Sequence, residues 1–313
     1  QLLRSGAHPD VLNAINMFEE AIAIDPDFVL PYTGLCMCYT FMGAWGLMDQ
    51  QESNSKSEAC ARKALEIDPS HPTALLVHAM SIFWISNWNL DTYAEALTKA
   101  LKTAPGSAEV RLYYGVFRLI EGKVEKALSE ILLAKKLDPL NSVILTRLGY
   151  TYLCVKEFEL AREQFREAHA LVKMDMYYQF MITWSYLLEE KYELAEAELQ
   201  KIEEGKDGYH LKRGTAGYLH ARLGRREEAL QMVDEISSLD KEGKMRFSHL
   251  NLSLIYSGLD QREQMYSHLE KAFNEKAITL MFLQADPFWE NYWKEARFKA
   301  IVDKAFHRKT TKK

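Results

Sequence analysis

The sequence has few cysteines, no excess of positive charge, no long apolar run and none of the common catalytic motifs. Only four cysteines occur (Cys36, Cys38, Cys60 and Cys154), all in apolar helical settings and none in a CxxC pair. This argues against a disulfide scaffold and reads as buried free thiols in a reducing compartment. Cys36 and Cys38 stand two apart on a helix, so their side chains diverge by about 200° and share no ligand. Basic residues are outnumbered, 39 Lys and Arg against 44 Asp and Glu, leaving a net charge of -5. A nucleic-acid surface would need concentrated positive charge. No apolar run approaches the ~18 residues needed to span a bilayer, and no signal peptide opens the chain. The HExxH, EF-hand, phosphate-loop and GxSxG patterns are absent. Gly43-Ala44-Trp45-Gly46 is too short and wrongly flanked for a nucleotide loop. His210 and His220 fall on one predicted helix and His249 and His268 on later ones, so they read as ordinary surface or core histidines. Glu189-Glu190 and Glu203-Glu204 read as solvated helix ends. No catalytic residue, metal or cofactor is expected.

What is present is a period. Ala127, Ala161, Ala195 and Ala229 recur at a constant step of 34 residues, and Ala100, Ala134 and Ala168 form a second series in phase with them. A step of this length in a helical sequence means stacked helical hairpins, each too small to bury its own apolar face. Each unit reads as helix A, a turn, helix B and a stop. The stops are clearest at Ile24-Asp25-Pro26, Ile67-Asp68-Pro69, Ala104-Pro105 and Leu137-Asp138-Pro139. Proline ends helix B because it lacks an N–H and its ring clashes with the preceding turn. Alanines seven apart on helix B (Ala14/Ala21, Ala127/Ala134, Ala161/Ala168) share one face and admit helix A closely. Helix A offers a matching small residue at Cys36, Ala79, Gly115, Gly149, Thr183, Gly217 and Ser253. Tyr93 and Met265 replace the small residue of helix B, which predicts looser or shifted packing there. Extra residues in Gly43–Ser57 and a polar Ser237–Lys244 loop stretch the period twice.

These marks resemble the tetratricopeptide repeat, which implies an all-α, right-handed α-solenoid. The expected organisation is one leading helix B and seven complete hairpins over 1–274, capping helices over 275–306 with a helix near Glu295–Phe306, and a frayed basic tail over 307–313. The chain opens inside a repeat at Gln1, so a longer protein is expected. Glu20-Ala21-Ile22-Ala23-Ile24-Asp25-Pro26-Asp27-Phe28 with Tyr32-Thr33-Gly34-Leu35, Asn87-Trp88-Asn89, and Ala285-Asp286-Pro287-Phe288 with Ala296-Arg297-Phe298-Lys299-Ala300-Ile301 resemble the C-terminal array of bacterial multidomain regulators. Such proteins carry a winged-helix DNA-binding domain or an adenylate-cyclase domain upstream, often with a TolB-like segment between. Trp289-Glu290-Asn291-Tyr292-Trp293 is more aromatic than that family's ending, which predicts a cap that packs differently.

The resemblance places helix A on a concave groove, lined here by Leu76, Met80, Phe83, Leu112 and Val116, then by Tyr150, Tyr177, Phe180, Trp184 and Tyr218. The lining is apolar and lacks the cations that clamp the carboxylate tail of chaperones in some relatives. Two readings stand at this level. An open groove would accept an amphipathic helix or an extended apolar segment, with Phe180, Trp184 and Tyr150 as anchors. A closed one would have its stripe buried by neighbouring side chains. An exposed apolar wall calls for a cover: the protein's own N-terminal domain, a second copy or another protein. The expected role is a non-catalytic, cytoplasmic interaction or sensing module, alternatively the regulatory tail of an adenylate cyclase or a stand-alone scaffold. Single-stranded RNA readers use similar hairpins with polar, basic grooves, which this lining is not.

Overall fold

Helix ends follow from local chemistry. Asp49 caps its helix by accepting from the amides of Gln51 and Glu52, at 2.9 and 3.0 Å. Asn89 does the same for Asp91 and Thr92, and Ser107 accepts from Val110. Each such oxygen satisfies an amide that the first helical turn leaves open. At the other end, Pro26, Pro69 and Pro139 stand two residues beyond the last helical residue.

The computed structural model describes residues 8–44, 47–86, 88–172, 175–202, 209–243, 245, 247–274 and 278–306. Among these there are no strands, and no helix is long and apolar enough to cross a membrane. A leading helix, α1 (His8–Ile24), precedes α2 (Val29–Ala44), α3 (Gln50–Ile67), α4 (Pro72–Ile85), α5 (Leu90–Thr103), α6 (Ala108–Ile120) and α7 (Val124–Leu137). There follow α8 (Ser142–Cys154), α9 (Phe158–Leu171), α10 (Asp175–Leu188), α11 (Tyr192–Gln200), α12 (Tyr209–Arg222), α13 (Arg226–Lys241), α14 (Ser248–Gly258) and α15 (Arg262–Asn274). Two 3₁₀ turns, Ile278–Phe282 and Pro287–Tyr292, lead to α16 (Ala296–Ala305). The helices pack as consecutive hairpins. The chain divides into two units, one of residues 1–147 with 302–313, the other of 148–301.

Inside each unit the small positions are where helices meet. Ala61, Ala64, Ala100, Ala127 and Ala134 are fully buried in the first, Ala161, Ala195 and Ala229 in the second. Gly115 of α6 shows why: a Cβ there would stand 2.5 Å from Ile131 and 3.2 Å from the Ala127 carbonyl oxygen of α7.

One expectation is corrected. The supposed loop at Ser237–Lys244 is helical to Lys241: the helix is anchored by buried Val233 and Ile236, and Ser237 keeps its hydroxyl within it by donating to the Val233 carbonyl at 2.7 Å. Most of the extra length in Gly43–Ser57 goes into α2 and α3, with Asp49 as the cap between them. Of the two alternatives at Tyr93 and Met265, burial of both fits shifted rather than looser packing; Tyr93 tilts against Phe83 at 4.7 Å and meets Phe117 edge-on at 5.6 Å. Residues 1–7, Trp45, Gly46, Asn87, Glu203, Glu204 and the tail at 307–313 lie outside the described residues, as do the side chains of His210 and Leu211.

Candidate interaction groove

In the first unit the expected lining is core. Leu76, Phe83, Leu112 and Val116 are buried and Met80 is half-buried. Phe83 belongs to an aromatic cluster around the turn between α4 and α5. Trp88 adopts φ 70° there and lies parallel to Phe83 at 6.2 Å and edge-on to Trp84 at 5.8 Å. Phe306, just past α16, stands 6.2 Å from Trp88 within the same unit.

In the second unit Tyr150, Trp184 and Tyr218 occupy one position of successive repeats, 34 residues apart, on α8, α10 and α12. Tyr150 and Phe180 are buried, while Tyr177, Trp184 and Tyr218 are half-buried. The Trp184 indole N–H donates to the Thr215 hydroxyl at 3.2 Å, which fixes the ring. The chain's own later segment covers this column. Phe282 tilts against Tyr150 with centroids 5.4 Å apart. Phe288 makes edge-to-face contacts with both Trp184 and Tyr218, again at 5.4 Å. Such edge-to-face pairs add ~0.5–1.5 kcal/mol each beyond the area they bury.

The covering segment is shaped by its own sequence. Asp286 caps the second 3₁₀ turn by accepting from the Phe288 amide at 3.1 Å, and Pro287 suits the first position of that turn. The Trp293 indole N–H donates to the Leu283 carbonyl at 2.8 Å, closing the loop on itself. Leu280, Leu283, Ala285, Trp289 and Tyr292 of the segment itself are buried, so it is held by more than its two aromatic anchors. Tyr266 donates its hydroxyl to Glu295 at 2.8 Å, and Arg297 pairs with Glu263 and Glu270 at 2.9 and 3.1 Å.

Burial governs the ionisable groups beside this column. Burial pushes the Asp286 carboxyl up to about 6, opposed by the Phe288 amide and the Tyr150 hydroxyl that it accepts from. Burial, then the Asp286 charge, raises the neighbouring Cys154 thiol well above its ordinary value, so little of it is thiolate. Cys36 and Cys38 are pushed up to about 12, again chiefly by burial. Among the described residues no three His, Cys, Asp or Glu groups are placed to hold a metal. His249 and His268 do meet, Nδ1 to Nδ1 at 3.2 Å.

Sequence reading did not assign Phe282 and Phe288 to the groove. The available signal was the aromatic ending itself, a second apolar block after the last hairpin.

No family model matches the chain. The transcriptional regulator HilA of Salmonella typhimurium is 31% identical over 144 residues, covering 44% of this chain and 25% of HilA. The chain thus spans about a quarter of the length of the curated relatives it matches. Among solved structures, the human IFIT1 dimer with PPP-AAAA superposes with a TM-score of 0.63 at 14% identity, over 91% of this chain and 68% of that one. A tetratricopeptide repeat protein from Parabacteroides merdae gives 0.55 at 12% identity, over 79% of this chain and 97% of its own. At these identities the solved structures speak for the fold: consecutive hairpins of the tetratricopeptide kind.

Proposed function

We propose that this tetratricopeptide-like repeat chain is a non-catalytic protein-interaction module of a bacterial transcriptional regulator, which receives an apolar helix or extended segment on its helix-A wall. One observation carries the reading. The column formed by Tyr150, Trp184 and Tyr218 takes up aromatic side chains from a segment that is not an α-helix, in the manner of an anchor entering a pocket. The partial likeness to HilA favours a transcriptional role over the cyclase alternative. The partner is a protein or peptide, the regulator's own N-terminal domain and a second copy included. Neither nucleic acid nor a chaperone tail suits the lining.

The test is a pull-down from cell extract with the wild-type chain beside Trp184→Asp, with far-UV circular dichroism to check that helicity is kept. Trp184 is half-buried, so a charge there changes the wall more than the core. Specific captured proteins should be lost from the variant. An identical partner set would count against the groove as the binding surface.

A further inference from the structure

We propose that residues 280–292 are an exchangeable internal ligand of the groove, a strap whose grip is set by the protonation of Asp286 and whose departure uncovers Tyr150, Trp184 and Tyr218. The inference rests on the reading of that wall as the binding surface, and adds who occupies it and what releases it.

The geometry carries the first half. The strap meets the wall through Phe282 on Tyr150 and Phe288 between Trp184 and Tyr218. Its backbone is two short turns, closed by local bonds such as Ala285 N–H to the Phe282 carbonyl at 2.8 Å and Trp289 N–H to the Asp286 carbonyl at 3.0 Å. It can therefore leave without breaking a long helix. Tethered to α15 and α16, it competes with outside segments at an effective concentration of about millimolar, which sets a threshold for any partner.

The second half comes from what faces Asp286. From α8 come Tyr150, which donates its hydroxyl, and Cys154, a neutral thiol. From the strap itself comes the Phe288 amide. α10 and α12 contribute the uncharged rings of Trp184 and Tyr218 around Phe288. No charged side chain among the described residues contributes to the raised value of Asp286, and the strap's own Glu290 is paired with Lys156 at 2.6 Å. Burial of a carboxylate with two donors and little compensating charge favours the acid form. Seated, the carboxyl titrates near 6; released into water it returns to 3.8. The seated state therefore holds its proton over that interval while the released state gives it up. The grip is firmest in acid and weakens as pH rises through the interval. Between pH 5 and pH 7 the seating equilibrium should fall about tenfold.

Hydrogen exchange on the intact chain reads this without any partner, so its outcome is separate from that of the pull-down. After correction for intrinsic exchange, the opening constant of the amides at 280–292 should be about tenfold larger at pH 7 than at pH 5. Amides of α14 should not follow. Asp286→Asn keeps an acceptor for Tyr150 and Phe288 but cannot ionise, so its opening constant should be the same at both pH values. Phe288→Ala should raise opening equally at both while the slope with pH remains. A wild-type opening constant unchanged between pH 5 and 7 would overturn the proposal, as would a slope in Asp286→Asn equal to that of the wild type.

Discussion

Gly149 of α8 lies against the ring of Phe165 on α9 so closely that a Cβ on the glycine would stand 2.6 Å from it. Phe165 is buried and the helices have no room to separate without losing the contacts on either side. Gly149→Ala should therefore destabilise the chain by about 1–3 kcal/mol through overpacking, read as a lowered midpoint in urea. Gly106→Ala is the control, since nothing lies within 4 Å of that position. Its midpoint should not fall. Equal loss in both variants would refute the close-approach account.

The turn between helices A and B needs a left-handed residue. Trp88, Gly122, Lys156, Glu190 and Gly224 stand at successive steps of 34 and all have positive φ, from 59° to 76°. Glycine adopts that conformation freely, whereas a side chain strains it. Lys156→Gly and Glu190→Gly should each stabilise by roughly 0.5–1 kcal/mol, because their exposed ion pairs contribute little. Gly122→Ala should cost about 1 kcal/mol. Thermal melts of the three variants decide it; a stabilising Gly122→Ala would contradict the reading.

How much of this was legible follows from how far apart the interacting residues are. Ala127, Ala134 and Pro139 act within their own hairpin, so period and punctuation expose them directly. The left-handed position was legible in part, through Gly122 and Gly224, but Lys156 and Glu190 hide the series because the turn imposes its conformation on residues that do not prefer it. Phe288 was not legible as a groove residue. Its partners Trp184 and Tyr218 lie 104 and 70 residues earlier, and no local pattern encodes a contact made after the last repeat. His249 and His268 belong to one hairpin, but pairing them needs the rotation of both helices about their axes, which spacing alone leaves undetermined.

The two aromatic contacts of Phe288 should be separable from its burial. Phe288→Ala should cost about 3 kcal/mol, the usual loss for a buried phenylalanine. In a double-mutant cycle with Trp184→Ala, the coupling should come out near 0.5–1.5 kcal/mol. Chemical denaturation of the four proteins supplies the cycle. Strict additivity would mean that Trp184 and Phe288 are neighbours without being partners.

The histidine pair gives stability its own pH dependence. Burial first, then His249 and Lys271, depress His268 from 6.5 to about 4, with Asp240 acting against them. Its ring also stacks on Tyr256 at 5.4 Å, which shields it from the solvent that a charged imidazole would need. Folded protein therefore keeps His268 neutral where the unfolded chain takes a proton. Between pH 6.5 and 4 the unfolded state binds more protons, so this contribution is complete above 6.5 and declines as pH falls towards 4. Because the ring is partly exposed, solvent screening reduces the effect to about 1–2 kcal/mol. Other carboxylates titrate over the same range, so the comparison must be with His268→Gln, which keeps a hydrogen-bonding side chain but no proton to gain. Urea midpoints measured from pH 7 to pH 4.5 should fall more steeply for the wild type than for the variant. Parallel curves would show that the meeting of His249 and His268 has no energetic consequence.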